Sequence, residues 1–148
     1  MEPDLNVMVH NNRKICIQLE HLTTKDMAHK GFTAAQGSML LYILHHYGKG
    51  ISLTEIQQNL GGSMASLSSM LKRLKRSGYI RVENSPDDDR KKLLFPTEQA
   101  LQVQEFLEEA FQNSCDQVFD GFSDPEIREF DRMQKKILGN LSKYGKNQ

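Results

Sequence analysis

Gly61-Gly62 stands between two short amphipathic segments, each opened by a serine that can cap a helix, and this arrangement limits the chain to few folds. Ser52-Leu53-Thr54-Glu55 has the spacing of a capping box, and Leu53, Ile56 and Leu60 recur at helical intervals as an inward face. After the two glycines, Ser63 opens a second helix in which Leu67, Met70, Leu71 and Leu74 share one face. Gly78 ends it, where a left-handed residue is cheap. Two short helices joined by so tight a turn have the dimensions of a helix-turn-helix. Tyr79 to Glu83 then alternates with period two and predicts a strand. Asn84 to Asp89 is turn chemistry, and Leu93-Leu94-Phe95 predicts the returning strand.

The flanking segments are helical by the same criteria. Leu5, Met8, Asn12, Ile15, Leu19 and Leu22 predict a helix over about residues 5–28, broadened by Val9, Cys16 and Ile17 beyond what one small core needs. Thr33-Ala34-Ala35-Gln36 is a capping box before a largely buried helix that should end at Gly48. Thr97 can cap a long helix to about Phe119. Ser123-Asp124-Pro125-Glu126 opens a last helix with Ile127, Phe130, Ile137, Leu138, Leu141 and Tyr144 expected inward. The expected fold class is mainly α with a small β-hairpin wing.

The formal net charge is zero, from 19 basic and 19 acidic side chains, which taken whole argues against a polyanionic partner. The charge is unevenly spread. Residues 51–97 carry a balance of +3 and residues 98–148 one of −4, and no acid lies between Glu55 and Glu83. Such asymmetry points to a nucleic-acid surface. Tryptophan is absent and aromatics make up 7%, which disfavours a stacking platform for single strands. No apolar run approaches the ~18 residues of a membrane span, and the start lacks a signal-peptide pattern, so a soluble cytoplasmic protein is expected.

Around the second helix of the pair, Ala65, Ser69, Lys72 and Arg76 lie opposite the core stripe, flanked by Ser68 and Arg73. With Ser63 and Ser66 at its start, this is a composition the major groove accepts: small residues allow close approach, hydroxyls reach bases or phosphates, and cations follow. The hairpin adds Arg90, Lys91 and Lys92 at a basic tip long enough to reach an adjacent minor groove. Asp87, Asp88 and Asp89 would repel phosphate there, so at least one should pair with Arg90 or a neighbouring base; Asp88 is the expected wing-orienting residue.

These residues in register resemble the MarR-type winged helix-turn-helix regulators of bacteria. The matching pieces are Phe32-Thr33-x-x-Gln36, then Leu53-x-x-Ile56-x-x-x-Leu60. They continue with Leu67-Ser68-x-x-Leu71-x-x-Leu74-x-x-x-Gly78-Tyr79-Ile80, and with Asp88-x-Arg90 before Thr97. Pro96, Ala100 and Ser69 depart from the family's usual Leu, Gly and Arg, so a base preference does not carry over. The resemblance implies a homodimer whose terminal helices interleave, using Leu5, Met8, Ile15, Leu19, Ile127, Phe130, Ile137 and Leu141. Residues 1–32 and 118–148 would form that dimerisation region, and residues 33–117 the winged DNA-binding domain with its connecting long helix. It also implies that residues 63–76 read the major groove of a palindromic operator while Arg90 enters the minor groove. The function expected is a ligand-responsive repressor, with a small-molecule effector bound between the dimer helices and the winged domain.

All five histidines precede residue 47, and His45-His46 are adjacent, so no metal and no cofactor is expected. Cys16 lies near where peroxide-sensing relatives keep a reactive thiol, but no tyrosine falls between it and Phe32. A buried structural cysteine is expected, with a thiol redox switch as the alternative. Cys115 reads as helix packing. Glu105, Glu108 and Glu109 read as a solvated helix face, and no residue pattern supports an enzyme. A winged-helix protein-interaction module that never binds DNA is the remaining rival.

Overall fold

The structure is a computed structural model describing residues 1–145; the last three residues of the expected 118–148 dimerisation segment lie outside the described residues. The elements run α1 (Leu5–Met27), α2 (Ala34–His46), α3 (Leu53–Leu60), α4 (Met64–Arg76), β1 (Ile80–Asn84), β2 (Lys92–Pro96), α5 (Glu98–Val118) and α6 (Asp124–Tyr144). A single 3-10 turn, Ala28–Lys30, follows α1. The chain divides into two compact units, Met1–Ser114 and Cys115–Gln148. No helix among the described residues is long and apolar enough to cross a membrane.

In the first unit, α2 is the central helix, with Met39, Leu40 and Ile43 fully buried. Its start is fixed locally. Thr33 Oγ1 accepts from the Gln36 N–H at 3.1 Å, and Gln36 Oε1 accepts from the Thr33 N–H at 3.0 Å. Two orphan donors of the first turn are thus satisfied reciprocally. Thr33→Ala is therefore expected to cost about 1 kcal/mol. The urea midpoint should fall at unchanged slope; an unaltered midpoint would remove the cap from the account.

Met27 of α1, Ile56 of α3, Leu67 and Leu74 of α4, Ile80 and Leu94 of the hairpin, and Leu107 of α5 complete this core. The turn between α3 and α4 needs its glycines, because Gly61 and Gly62 sit at φ 80° and 100°, where a side chain is strained. β1 and β2 pair antiparallel, with Val82 opposite Leu94. Ile51 adds a bridge to Leu94, its N–H donating to the Leu94 carbonyl at 3.3 Å and its own carbonyl accepting at 2.8 Å. The approach to α3 is thereby tied to the hairpin. Two buried hydroxyls, Thr23 and Ser114, join α1 to α5: Thr23 donates to Ser114 Oγ at 2.9 Å, and Ser114 donates to the Ala110 carbonyl. Both are satisfied, as buried polar groups must be.

In the second unit, Ser123 and Glu126 form the predicted capping box with Pro125 in the first turn. The Phe119 ring lies 5.5 Å from Phe122 and 6.0 Å from Phe130, edge to face. Glu129–Arg132 and Asp131–Lys135 ion pairs line the helix one turn apart.

Several expectations are corrected. Leu60 is exposed, because the last turn of α3 projects beyond the core that holds Ile56. Only half of the Ser52 box forms: Ser52 Oγ accepts from Glu55 N–H, but no bond returns, and the Ile51–Leu94 bridge holds the approach instead. The apolar stripe of α6 does not point inward. No residue of α6 is buried, and the Phe130 ring meets the Phe119 ring edge to face. Cys16 is exposed rather than buried, because it lies on the stretch of α1, residues 5–20, that the first unit leaves exposed throughout. Glu108 lies on the solvated helix face as expected, and there meets two side-chain partners described below.

Candidate nucleic-acid interface

Helix α4 exists because its two faces differ in chemistry. Ser63 Oγ accepts from the Ser66 N–H at 3.1 Å and starts it, and Leu67 and Leu74 anchor it. Met70 and Leu71 pack half-buried against that core. Arg73, Lys75 and Arg76 fall in the last turn, where cations favour the carbonyl end of the helix dipole. Beyond that turn, the Thr97 hydroxyl donates to the Gly78 carbonyl at 2.6 Å and the Gln99 amide donates to the Ser77 carbonyl at 3.0 Å. The start of α5 thus closes off the end of α4. Sequence reasoning found Thr97 as a cap, but a tie across 19 residues leaves no local pattern.

Ser63, Ala65, Ser66, Ser69, Lys72, Arg73 and Arg76 are all exposed, with Ser68 half-buried. They form one surface of small, hydroxyl and cationic side chains. Among the described residues, none of Lys72, Arg73, Lys75 and Arg76 has a carboxylate partner.

The wing tip is built by backbone bonds from its own polar residues. Ser85 is buried; its N–H donates to the Lys91 carbonyl at 2.9 Å, and its hydroxyl accepts from the Asp87 N–H at 3.3 Å. Asp88 Oδ1 accepts from the Arg90 N–H at 2.9 Å and lies 3.7 Å from Arg90 Nε. The carboxylate therefore holds the base of Arg90 while the Arg90 side chain remains 95% exposed. Lys91 is exposed at the tip, and Lys92 Nζ donates to Asn84 Oδ1 across the strands. Arg81 is occupied, paired with Glu83 and stacked 4.7 Å from the Phe95 ring centroid. Of the predicted wing cations, Arg90 and Lys91 are those most open to a partner.

Elsewhere in this unit, His45 Nε2 meets Glu108 Oε1 at 2.8 Å, and Gln104 Nε2 donates to the same oxygen at 3.0 Å. The His45 bond, then the Gln104 bond, hold the Glu108 carboxyl below the ordinary carboxylate range. That stabilisation is present at neutral pH and is lost as pH falls through the lowered value. Both partners are well exposed, so it is small. Sequence reasoning missed this pair, because 63 residues separate its members.

The expected dimerisation residues Leu5, Met8, Ile15, Leu19, Ile127, Ile137 and Leu141 are exposed; Leu5 is 75% exposed and Leu141 63%. Phe130 is half-buried against Phe119. An apolar groove of about 590 Å³ opens between α1, α2, the α3–α4 turn and α5. Cys16, Leu19, Met39, Leu60, Met70 and Phe111 line it, with Glu20 as the charged residue at its edge.

With this geometry in view, residues 33–92 match the model of the MarR family. A Pseudomonas putida protein, the HTH-type transcriptional repressor IacR, is 28% identical over 106 residues, covering 69% of this chain. The chain spans 60% of the length of that curated relative. Among solved structures, a MarR family transcriptional regulator from Listeria monocytogenes in complex with a 26-mer DNA superposes with a TM-score of 0.80 at 22% identity, covering 97% of this chain and 91% of the other. The S. aureus MepR–DNA complex gives 0.83 at 20% identity, covering 90% and 97%. A MarR protein from Peptoclostridium difficile gives 0.86 at 21% identity, covering 95% and 92%. Residues 33–92 are thus similar to the MarR family, and the chain has the winged-helix fold of these solved MarR structures.

Proposed function

We propose that the chain is a homodimeric, sequence-specific duplex-DNA-binding transcriptional repressor acting in the cytoplasm, with operator affinity set by a small-molecule effector. One observation carries the reading: the exposed hydroxyl-and-cation face of α4, without a carboxylate partner among the described residues, stands beside a wing whose Arg90 is held at its base and open at its head. In this reading residues 63–76 enter the major groove and Arg90 the adjacent minor groove. MarR-family proteins are transcription regulators, not enzymes, and the Listeria and MepR structures hold DNA. Repression is taken from the name of the Pseudomonas relative.

A homodimer accounts for the apolar stripes that this chain leaves exposed on α1 and on α6. Residues 1–32 and 118–148 would serve that assembly, and residues 33–117 would serve DNA. The effector reading is supported by the apolar groove beside α4, whose occupant would shift the balance between two spacings of the recognition helices. The exposed thiol of Cys16 on that groove favours a second reading, in which oxidation supplies the switch. Peroxide treatment that leaves DNA affinity unchanged removes it.

The test of DNA binding is a salt series with labelled duplex. Several phosphate contacts should make log affinity fall steeply and linearly with log salt. A flat response, or no binding, favours the protein-interaction module instead.

A further inference from the structure

A second, polar recess of about 270 Å³ lies between the first turn of α2 and α4, lined by Thr33, Gln36, Ser66, Ser69, Met70 and Arg73. Its lining is rich in hydrogen-bond donors and carries one cation. The Thr33 and Gln36 side-chain oxygens already accept from each other's backbone N–H groups, so the Thr33 O–H and the Gln36 Nε2 amide remain to donate. The Ser66 and Ser69 hydroxyls and the Arg73 guanidinium have no side-chain partner among the described residues. No carboxylate lines the recess, and none occurs in sequence between Glu55 and Glu83.

Donors converging with one fixed positive charge and no acid fit an oxyanion. The position says which one. At 100° per residue, the stripe Ser66–Met70–Arg73 sits roughly 90° around α4 from the stripe Ala65–Lys72–Arg76 that faces away from the core. When the latter enters the major groove, the former turns towards the groove's wall, which is sugar-phosphate backbone.

We infer that this recess seats one DNA backbone phosphate, with Arg73 as its charged partner, so that Arg73 fixes the position of α4 on the duplex and does not read a base. The inference rests on the DNA-binding reading above and assigns one contact within it.

The experiment uses the full chain, a duplex recovered by selection from a random pool, and a scrambled duplex of equal composition. Arg73→Ala should weaken binding to both duplexes about equally, roughly tenfold at physiological salt, and lower the salt slope by about 1. Arg73→Lys should restore most of the slope, and thermal midpoints should be unchanged; Arg73→Gln serves if the alanine variant folds poorly. A neutral methylphosphonate at one phosphate should weaken the native protein and leave Arg73→Ala unaffected. Loss of discrimination between the duplexes at unchanged slope would make Arg73 a base reader and overturn the inference, as would undiminished binding by Arg73→Ala. If the native chain shows no salt-dependent binding to any duplex, the DNA-binding reading falls with it, which separates the two failures.

Discussion

Removing residues 123–148 is expected to give a monomer that has lost operator binding. Helix α6 buries none of its residues in the chain's own structure, although Ile127, Ile137, Leu138 and Leu141 are large and apolar. Fully burying each such side chain is worth about 1.5–3 kcal/mol, so a set of them left in water needs a covering surface. In the dimer reading that surface is the second copy. A lone winged unit would hold one half-site and forfeit the effective concentration gained by linking two, a loss of about 10²–10⁴-fold in affinity. Sedimentation should give the mass of one chain, and circular dichroism should retain the helices of residues 1–122. If truncation impairs folding, Ile137→Glu with Leu141→Glu in the intact chain makes the same test. A stable dimer of undiminished affinity in both variants would place the interface elsewhere.

Arg90→Ala is expected to weaken DNA binding by about 1–3 kcal/mol without lowering thermal stability. The side chain contributes little to the fold, being 95% exposed and near one carboxylate oxygen at 3.7 Å. The same geometry separates two roles for Asp88. If its carboxylate chiefly repelled phosphate, Asp88→Ala would tighten binding. Because Oδ1 accepts from the Arg90 N–H at 2.9 Å, losing it should loosen the tip and weaken binding instead. Asp88→Asn keeps the acceptor and should bind almost as the native chain does. Tighter binding by Asp88→Ala would contradict the orienting role.

Much of this was legible in the sequence because it is local. Caps at Thr33, Ser63 and Ser123, the glycines at 61, 62 and 78, and the period-two strand each declare themselves within a few residues. The surface of α4 was legible for the same reason: helical spacing alone puts Lys72 and Arg76 opposite Leu74. Illegible features depend on distant partners. The His45–Glu108 pair, the Thr97–Gly78 tie and the Thr23–Ser114 hydroxyl contact join residues 19 to 91 positions apart. The misread stripe of α6 has another cause. Periodicity says that a face is apolar, not which chain covers it. Cys16 was misassigned by that ambiguity: its helix has an apolar stripe, yet the chain leaves it exposed.

The central claim is that two copies of α4 read successive major grooves. Selection of bound duplexes from a random pool tests it most directly. The expected winners are palindromes with half-site centres one helical turn, about 34 Å, apart. Enrichment of an asymmetric single site, or no enrichment over the starting pool, would contradict it.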